Sequence, residues 1–320
     1  MMPAAAAKPV ARVESSPPAQ IPAPTGSEAA NRRGIYAMIA AMGVFVCNDT
    51  CVKLASQTMP IGEIITLRNG AATFYLCCFC LWAGGISLPP NPPIPLLALR
   101  ITGELVSTIL FLVALVSLPL ADMTAISQFT PLALTAAAAI FLAEPVGWRR
   151  WSATFVGLIG VCLIVRPGSA AFSTAGILVL GSIIFVVMRD LATRMITTAV
   201  STPTLTLTST LAGTAAGLML LPFESWQMPG HREGTLLALS GLFLTFGYAL
   251  IIIALRTGDV GVVSPFRYSV ILFALASGYL VWGDTPDAIA LLGIVILCSA
   301  GVYTLHRERL GRERPTREAL

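Results

Sequence analysis

The sequence predicts an all-α, polytopic membrane protein, and three observations predict that class. Hydrophobic residues make up 56% of the 320 residues, whereas charged residues make up only 11%. Soluble domains carry about 25% charged residues, so this chain lacks the charge to cover a water-facing surface. Apolar stretches also recur along its whole length. Each is close to the roughly 20 residues that a helix needs to cross a bilayer.

These stretches predict ten transmembrane helices. We place them at 34–55, 63–84, 97–118, 121–142, 151–166, 175–196, 203–222, 234–254, 260–281 and 288–305. The five tryptophans fall at span ends, where an interfacial aromatic belt would place them. Residues 1–31 are rich in Ala, Pro and Ser and predict a disordered cytoplasmic tail. They lack the regions of a cleaved signal peptide, so we expect the first span to remain in the mature protein.

The distribution of basic residues predicts the orientation in the membrane. If the N-terminus is cytoplasmic, only Lys53, Arg166 and Arg232 fall on the outer side, and Arg68 and Arg267 lie inside spans. The remaining Lys and Arg residues lie on the inner side, including those of the basic C-terminal tail at 307–320. We therefore expect a multi-pass protein of the cell (inner) membrane with both termini cytoplasmic. The tail could instead bind lipid headgroups or a partner. Because topology accounts for the net charge of +4, we expect no nucleic-acid partner.

An internal repeat divides the spans into two sets of five. GIYAMIAAMGVFVCNDTCVK (34–53) is similar to GILVLGSIIFVVMRDLATR (176–194), and DMTAISQFTPL (122–132) is similar to DVGVVSPFRYS (259–269). The predicted domains are a first repeat at 32–170 and a second at 171–306. Because each repeat has an odd number of spans, the second must cross the membrane in the opposite direction to the first.

The first repeat pair carries an Asp followed by a base four residues later, Asp49 with Lys53 and Asp190 with Arg194. Such residues share one helix face and can neutralise each other. An isolated charge near the membrane centre costs about 2.5–3.5 kcal/mol on insertion scales, so we expect these charges to be paired or hydrated.

Depth along the helices predicts further pairs at the outer side. Asp49 and Arg68 lie roughly 9 Å and 8 Å below the outer ends of their spans, so we expect them to meet, with Lys53 and Glu63 pairing above them. Two interpretations remain open. The charges either fix helix register alone, or they also line the path of a cargo or a proton.

Two further groups are candidates for the site. Arg267 and Tyr268 follow Pro265 in the ninth span, where a proline removes a backbone hydrogen bond, and Pro131 lies in the fourth. Interrupted helices in both halves indicate a transport site, so Arg267 could bind an anionic group and Tyr268 could stack on a ring. Alternatively, Arg267 reaches the cytoplasmic headgroups.

Glu104 follows Arg100 by four residues and either pairs with it or couples transport to protons, a role also open to Asp49. Cys47 and Cys51 share a helix face and could join the cysteines at 77, 78 and 80 in a metal site. Buried free cysteine is the simpler interpretation, and we expect no metal and no cofactor. His231 and His306 are predicted on opposite sides of the membrane, and no catalytic motif is present, so we expect no enzyme and no catalytic residue.

Together these motifs resemble the EamA-type domain of the drug/metabolite transporter superfamily. The stretch LPLADMTAISQFTPLALTAAAAIFLAEPVGWRRWSATFVGLIGVCLIVRPG (118–168) follows the family pattern, and 264–308 repeats it, with Asp284 where the family commonly has Glu. The resemblance implies ten helices in two inverted halves around a central cavity. Its ND-xxx-K, GE-xxxx-R and FRYS pieces resemble the branch with carriers for S-adenosylmethionine-like or riboflavin-like compounds.

The sequence therefore predicts a secondary transporter of a small polar metabolite, working by alternating access. Its expected partners are the cargo, the lipid bilayer and, as an open possibility, a second copy in a homodimer. The alternatives are an intramembrane enzyme and a membrane receptor or scaffold that transports nothing.

Overall fold

The computed structural model describes residues 28–83, 92–141, 148–165, 174–196, 202–257 and 263–313. This part of the chain is helical and contains no strand. The α-helices are α1 Glu28–Ala55, α2 Ile61–Ala83, α3 Ile94–Ser117, α4 Leu120–Ser127, α5 Thr130–Phe141, α6 Trp148–Val165, α7 Thr174–Met195, α8 Thr202–Leu220, α9 His231–Thr257, α10 Ser269–Trp282 and α11 Ala288–Glu313. Two 3-10 helices, Leu221–Phe223 and Ser264–Tyr268, follow α8 and precede α10.

The protein is a multi-pass membrane protein. Within the described residues, seven helical segments are long and apolar enough to cross a membrane. They are Glu28–Ala55, Ile61–Leu81, Ile94–Ser117, Leu120–Phe141, Thr174–Thr193, Pro203–Phe223 and His231–Ile251. Three shorter apolar helical segments are Trp151–Val165, Phe266–Trp282 and Ala288–Tyr303. Large apolar side chains such as Leu81, Phe141 and Leu280 are exposed, as expected of a surface that faces lipid. The total of ten spans stays a prediction.

Both ends of the predicted membrane region extend further than the sequence pattern indicates. α1 begins at Glu28, inside the segment expected to be a disordered tail, and α11 continues to Glu313 in the basic tail. A carboxylate in the first turn of α1 is favourable, because the helix dipole is positive there. Hydropathy cannot detect polar helix that continues beyond the bilayer, so the sequence pattern does not indicate these extensions. The boundaries of the two repeats and of the two tails stay predictions. Residues 1–27 and 314–320 lie outside the described part.

Both interruptions predicted from proline are confirmed. The fourth span is broken at Gln128–Phe129, and Pro131 is the second residue of α5, where its missing N–H removes no helical hydrogen bond. The ninth span begins as the 3-10 helix Ser264–Tyr268, which contains Pro265. Each half of the chain thus contains one span with an irregular segment at corresponding positions.

The helix contacts of one half recur between the corresponding helices of the other half. α1 packs on α9 as α7 packs on α3, and α2 packs on α9 as α8 packs on α3. α1 also contacts α10 as α7 contacts α5. In two further contacts a helix packs on its own counterpart in the other half, namely α2 on α8 and α6 on α11. The contacts therefore fit an architecture of two structural repeats.

Glycine brings the backbones of α2 and α8, and those of α6 and α11, into direct contact. A Cβ added at Gly217 of α8 would lie 2.6 Å from the carbonyl oxygen of Gly62 and 2.6 Å from the backbone nitrogen of Thr66, both in α2. A Cβ at Gly160 of α6 would lie 2.8 Å from the carbonyl oxygen of Gly293 in α11. Small residues allow this approach, which strengthens packing where the hydrophobic effect between helices is absent.

We predict that Gly217→Ala lowers the stability of the protein by about 1–3 kcal/mol, because the methyl group forces α2 and α8 apart. Gly70→Ala is the matched control, since a Cβ there meets nothing within 4 Å. In that variant the gain in helix propensity is roughly 0.5–1 kcal/mol. Thermal unfolding in detergent should show a lower midpoint for Gly217→Ala only. Equal midpoints for the two variants would contradict the packing described here.

Candidate functional site

Two ends of the helix bundle contain the polar residues. The Lys53 end holds the C-termini of α1 and α3, since the Lys53 ammonium donates a hydrogen bond to the carbonyl oxygen of Leu118. The Arg100 end is the opposite one and holds the N-terminus of α3. Glu104 lies ten residues into α3, about 15 Å along its axis from Ile94, and thus in the middle third of the bundle.

Arg189 of α7 joins two carboxylates in this middle region. Its Nη1 lies 3.1 Å from Oε2 of Glu104, and its Nε donates to Oδ1 of Asp190 at 2.8 Å. The Glu104 side chain is 12% exposed and that of Asp190 32%. Charge-assisted hydrogen bonds of this length are the strong ones. Arg189 therefore binds α3 to α7, and two acids share its single positive charge.

Arg100 of α3 has neutral partners instead. Its Nη2 donates to Oγ of Ser209 at 2.8 Å and to the carbonyl oxygen of Leu205 at 3.2 Å, and its Nη1 donates to Oγ1 of Thr193. Its Nε is buried and has no hydrogen-bond acceptor. Arg100 thus ties α3 to α7 and α8, and its full charge has no carboxylate at hydrogen-bonding distance among the described residues.

A cavity of about 260 Å³ lies among these groups, and we call it the Arg189 cavity. Its lining residues come from both halves of the chain and are Arg100, Glu104, Leu134, Arg189, Asp190, Thr193, Thr206, Ser209 and Tyr248. Most of them carry a polar side chain. A small, mostly polar cavity with convergent charges is suited to bind a small polar molecule.

Arg68 and Tyr248 extend the polar region toward α1. The Arg68 side chain is buried at 7% exposure, and its Nε has no hydrogen-bond acceptor. It interacts electrostatically with Asp49, Tyr248 and Glu104. Asp49 and Arg68 are therefore close enough to attract each other, as predicted, but the structure contains no direct ion pair between them.

The counterpart of Arg189 in the first half is Asn48. The Asn48 amide donates to Oδ1 of Asp49 at 2.8 Å, just as Arg189 donates to Asp190. Oδ1 of Asn48 accepts from Oγ of Ser240 in α9 at 2.7 Å, just as Arg189 reaches Glu104 in α3. The two halves thus share one arrangement, in which the donor is a neutral amide in the first half and a guanidinium in the second.

The predicted pair of Lys53 with Glu63 is wrong. The Lys53 ammonium turns toward α3 and α10, lying 5.0 Å from the ring centroid of Trp282, and it interacts electrostatically with Asp284 and Asp122. Glu63 is 1% exposed and accepts from the backbone nitrogen of Gln227 at 3.3 Å. The prediction failed because it considered depth alone, whereas the direction around the helix axis decides which neighbour a side chain meets.

Glu104 and Arg100 attract each other along α3, as predicted, but they form no direct ion pair. Glu104 forms its ion pair with Arg189 of α7, and Arg100 turns to α7 and α8. Asp190 is bonded to its neighbour Arg189, and Arg194, the base predicted to pair with it, has a side chain outside the described residues.

Arg267 and Tyr268 point in different directions. Arg267 is exposed and interacts electrostatically with Asp190 and Arg189, so it lies near the Arg189 cavity. Its carbonyl oxygen accepts from Nε2 of Gln128 at 3.5 Å, which connects the two interrupted spans. Tyr268 is buried, and its hydroxyl group contacts Gly301 of α11. The roles assigned to these two residues stay predictions.

Sequence reasoning missed Arg189, Tyr248 and Asn48 as site residues. Arg189 was counted among the basic residues of the cytoplasmic side. Its position seven residues inside the end of the predicted span 175–196 was a usable signal that it lies in the membrane. Among the described residues, no three His, Cys, Asp or Glu side chains converge on a metal site.

The sequence model of the EamA-like transporter family matches residues 32–166 and again residues 173–305. This chain belongs to the EamA-like transporter family. The resemblance predicted from the motifs is confirmed, and the family and its relatives are transporters rather than enzymes.

Several characterised relatives are transporters of metabolites. The pseudopaline exporter of Pseudomonas aeruginosa is 25% identical over 276 residues, which are 84% of this chain and 95% of that protein. The riboflavin transporter of Vibrio cholerae is 29% identical over 193 residues, 59% of this chain and 64% of that protein. The S-adenosylmethionine uptake transporter of Rickettsia prowazekii is 22% identical over 191 residues, 60% of this chain and 65% of that protein.

A crystal structure of a protein with 17% sequence identity superposes with a TM-score of 0.60. The superposition covers 86% of this chain and 98% of the other. At this identity the similarity concerns the fold alone.

We predict that Glu104→Ala lowers the free energy of unfolding by about 3 kcal/mol, because it leaves Arg189 with one fewer acid in a buried site. Asp190→Ala is the matched comparison. It removes the more exposed acid from the same arginine and should lower stability by about 1 kcal/mol. Thermal unfolding of both variants in detergent provides the measurement. A larger loss for Asp190→Ala would contradict the assignment of Glu104 as the main partner.

Proposed function

We propose that the protein is a secondary transporter of a small polar organic metabolite in the cell (inner) membrane, with both termini cytoplasmic. Its ten membrane segments form two inverted halves of five, and alternating access to the Arg189 cavity moves the cargo. The observation that carries this proposal is the cavity itself. It is polar, is lined by residues of both halves, and lies at mid-bundle in a chain of a transporter family.

Helix directions support the inverted arrangement. Contacts of Phe45 with Gly247 and of Asn48 with Ser240 make α1 and α9 antiparallel. Contacts of Gly43 with Phe273 and of Thr50 with Ser277 make α1 and α10 parallel. α10 corresponds to the fourth span of the first half, which in the predicted topology runs antiparallel to α1. Because α10 runs parallel to α1, these contacts support a second half that is inverted relative to the first.

Contacts at the Lys53 end support a state in which this end is closed. Oγ1 of Thr50 and Oγ of Ser277 share a hydrogen bond of 2.7 Å, and Lys53 bonds the chain between α3 and α4. By the predicted topology this end faces outward, and the Arg100 end faces the cytoplasm. These contacts support an assignment of the structure, within this proposal, to the state that receives or releases cargo on the cytoplasmic side.

The charged residues have distinct tasks in this mechanism. Asp49, Lys53 and Arg68 belong to the outer binding and gating cluster, and Asp190 and Arg194 to the inner one.

Arg267 contacts cargo from the 3-10 segment, and Tyr268 holds that segment against α11. Glu104 is the coupling acid. When it takes up a proton, its attraction for Arg189 falls, and the guanidinium becomes available to another acceptor.

We predict that Arg189→Gln abolishes transport, because it removes the donor shared by Glu104 and Asp190 and one wall of the cavity. Purified protein in proteoliposomes should be tested first with radiolabelled riboflavin and S-adenosylmethionine, and then with amino acids and nucleosides, with and without a proton gradient. Arg149→Gln is the matched control, because Arg149 is exposed at the start of α6 and lies over Trp148. Its flux should equal that of the wild type.

Flux also separates this proposal from a receptor or scaffold, which moves no solute. Flux through Arg189→Gln at the wild-type rate would show that the cavity is not the route. No flux of any compound, in protein of native stability, would contradict transport itself.

A disulfide at the Lys53 end tests alternating access. In a chain with its seven cysteines replaced, Thr50→Cys with Ser277→Cys places two sulfurs where hydroxyl groups now bond. We predict that oxidation blocks flux at least tenfold and that reduction restores it, because α1 and α10 must separate for outward opening. The single variant Thr50→Cys should not respond to oxidant. Undiminished flux in the oxidised double variant would exclude opening between these helices.

A further inference from the structure

A second cavity adjoins the Arg189 cavity and differs from it in character. It has a volume of about 360 Å³ and lies between α2, α8 and α9, and we call it the apolar slot. Its surface is almost entirely apolar, with Tyr75, Leu76, Phe79 and Phe246 among the lining residues. Thr206 and Tyr248 line both cavities, so the two spaces meet at these side chains.

The polar side of this junction contains two arginines, Arg68 and Arg100, that form no hydrogen bond to a carboxylate among the described residues. Glu104 attracts both of them through its charge, as do Asp49 for Arg68 and Asp190 for Arg100. Arg189 is bonded to both carboxylates of the Arg189 cavity, whereas Arg100 bonds only to neutral groups. Arg68 is 7% exposed and its Nε has no hydrogen-bond acceptor, and the Nε of Arg100 is likewise buried without one. Tyr248 interacts electrostatically with all three arginines.

Two guanidinium groups that each have a buried Nε without an acceptor are unfavourable in a protein interior. An unsatisfied buried donor costs about 1–3 kcal/mol, and more when it is charged. Asp49 reduces this cost for Arg68 through its charge, but it forms no hydrogen bond to the guanidinium among the described residues. An anionic group beside Tyr248 would supply the missing acceptor, and Arg is the residue best suited to bind a carboxylate or phosphate.

We propose, on the basis of the transport function above, that the cargo is an amphipathic organic anion. Its acidic group binds to Arg100 beside Tyr248 and is attracted by the charge of Arg68, and its apolar ring or chain occupies the slot between α2, α8 and α9. The aromatic rings of Tyr75 and Tyr248 are suited to pack against a planar ring system. Selection of this class requires both cavities, the Arg189 cavity for the acidic group and the apolar slot for the ring or chain.

The test does not require that the cargo be identified beforehand. Proteoliposomes with the full chain are incubated with a filtered small-molecule extract of bacterial cells, washed, and analysed by mass spectrometry, with Arg189→Gln vesicles and protein-free vesicles as blanks. We expect the accumulated compounds to carry an acidic group together with an apolar ring or chain. Treatment of the extract with phosphatase should remove the signal of a phosphate ester and leave that of a carboxylate.

Two sets of variants test the two parts of the site. Arg100→Gln should lower accumulation of these anions about tenfold, the loss expected for one charge-assisted hydrogen bond. Arg68→Gln should lower it by a smaller factor, because it removes an attracting charge. Arg68→Lys retains the charge and should retain more accumulation than Arg68→Gln. Ala249→Trp fills the slot without changing a polar group, and it should lower accumulation of the same compounds about tenfold. Ala276→Trp on the exposed face of α10 is its control and should have no effect.

The possible outcomes separate this inference from the transport proposal. Accumulation of neutral or cationic compounds, or of small acids without an apolar part, would overturn the inference and leave transport intact. An Ala249→Trp profile equal to wild type would mean that lipid chains occupy the slot, which also overturns it. If no compound exceeds the blanks, both proposals fail.

Discussion

The arrangement of the bundle depends on the need to neutralise charge inside a membrane. Arg189 bonds to one acid on its own helix, Asp190, and to one on a helix of the other half, Glu104. The bond to Glu104 holds α3 against α7 in rotation as well as in depth, because the two side chains meet only when the helix faces that bear them are turned toward each other. Arg100 can then direct its donors toward α7 and α8, and these contacts enclose the polar cavity.

Comparison of the two halves shows one arrangement built with two kinds of donor. The residue before the repeated aspartate bonds to that aspartate and to the third helix of the opposite half in both copies, as Asn48 does to Ser240 and Arg189 does to Glu104. In the first half the donor is the neutral amide of Asn48, whereas in the second half it is the positively charged guanidinium of Arg189. The contact of Arg189 with Glu104 is therefore an ion pair between the two halves, whereas that of Asn48 with Ser240 is a neutral hydrogen bond.

The fold class, the interrupted spans and the family followed from hydropathy, proline positions and the repeat, because these depend on properties that every residue of a segment shares. The partners of single charged residues did not follow. Lys53 and Glu63 lie at similar depth but on different helix faces, and Glu104 has Arg100 one turn away but Arg189 in better reach. Such choices depend on the rotation of each helix about its axis, which the spacing of apolar residues leaves open when lipid surrounds most of the surface. Arg189 was missed because a basic residue near the end of a span was counted among the cytoplasmic charges that set the topology.

The crossing of α6 and α11 has a mechanical consequence. Gly160 and Gly293 bring the two backbones together with no side chain between them, so neither helix can slide past the other without overlap of peptide groups. A contact that resists sliding but permits tilting acts as a fulcrum. Displacement grows with distance from a fulcrum, so in the proposed transport cycle a small tilt at this crossing would move the residues farthest from it the most. The two glycines would then let the halves tilt against each other while preventing them from sliding.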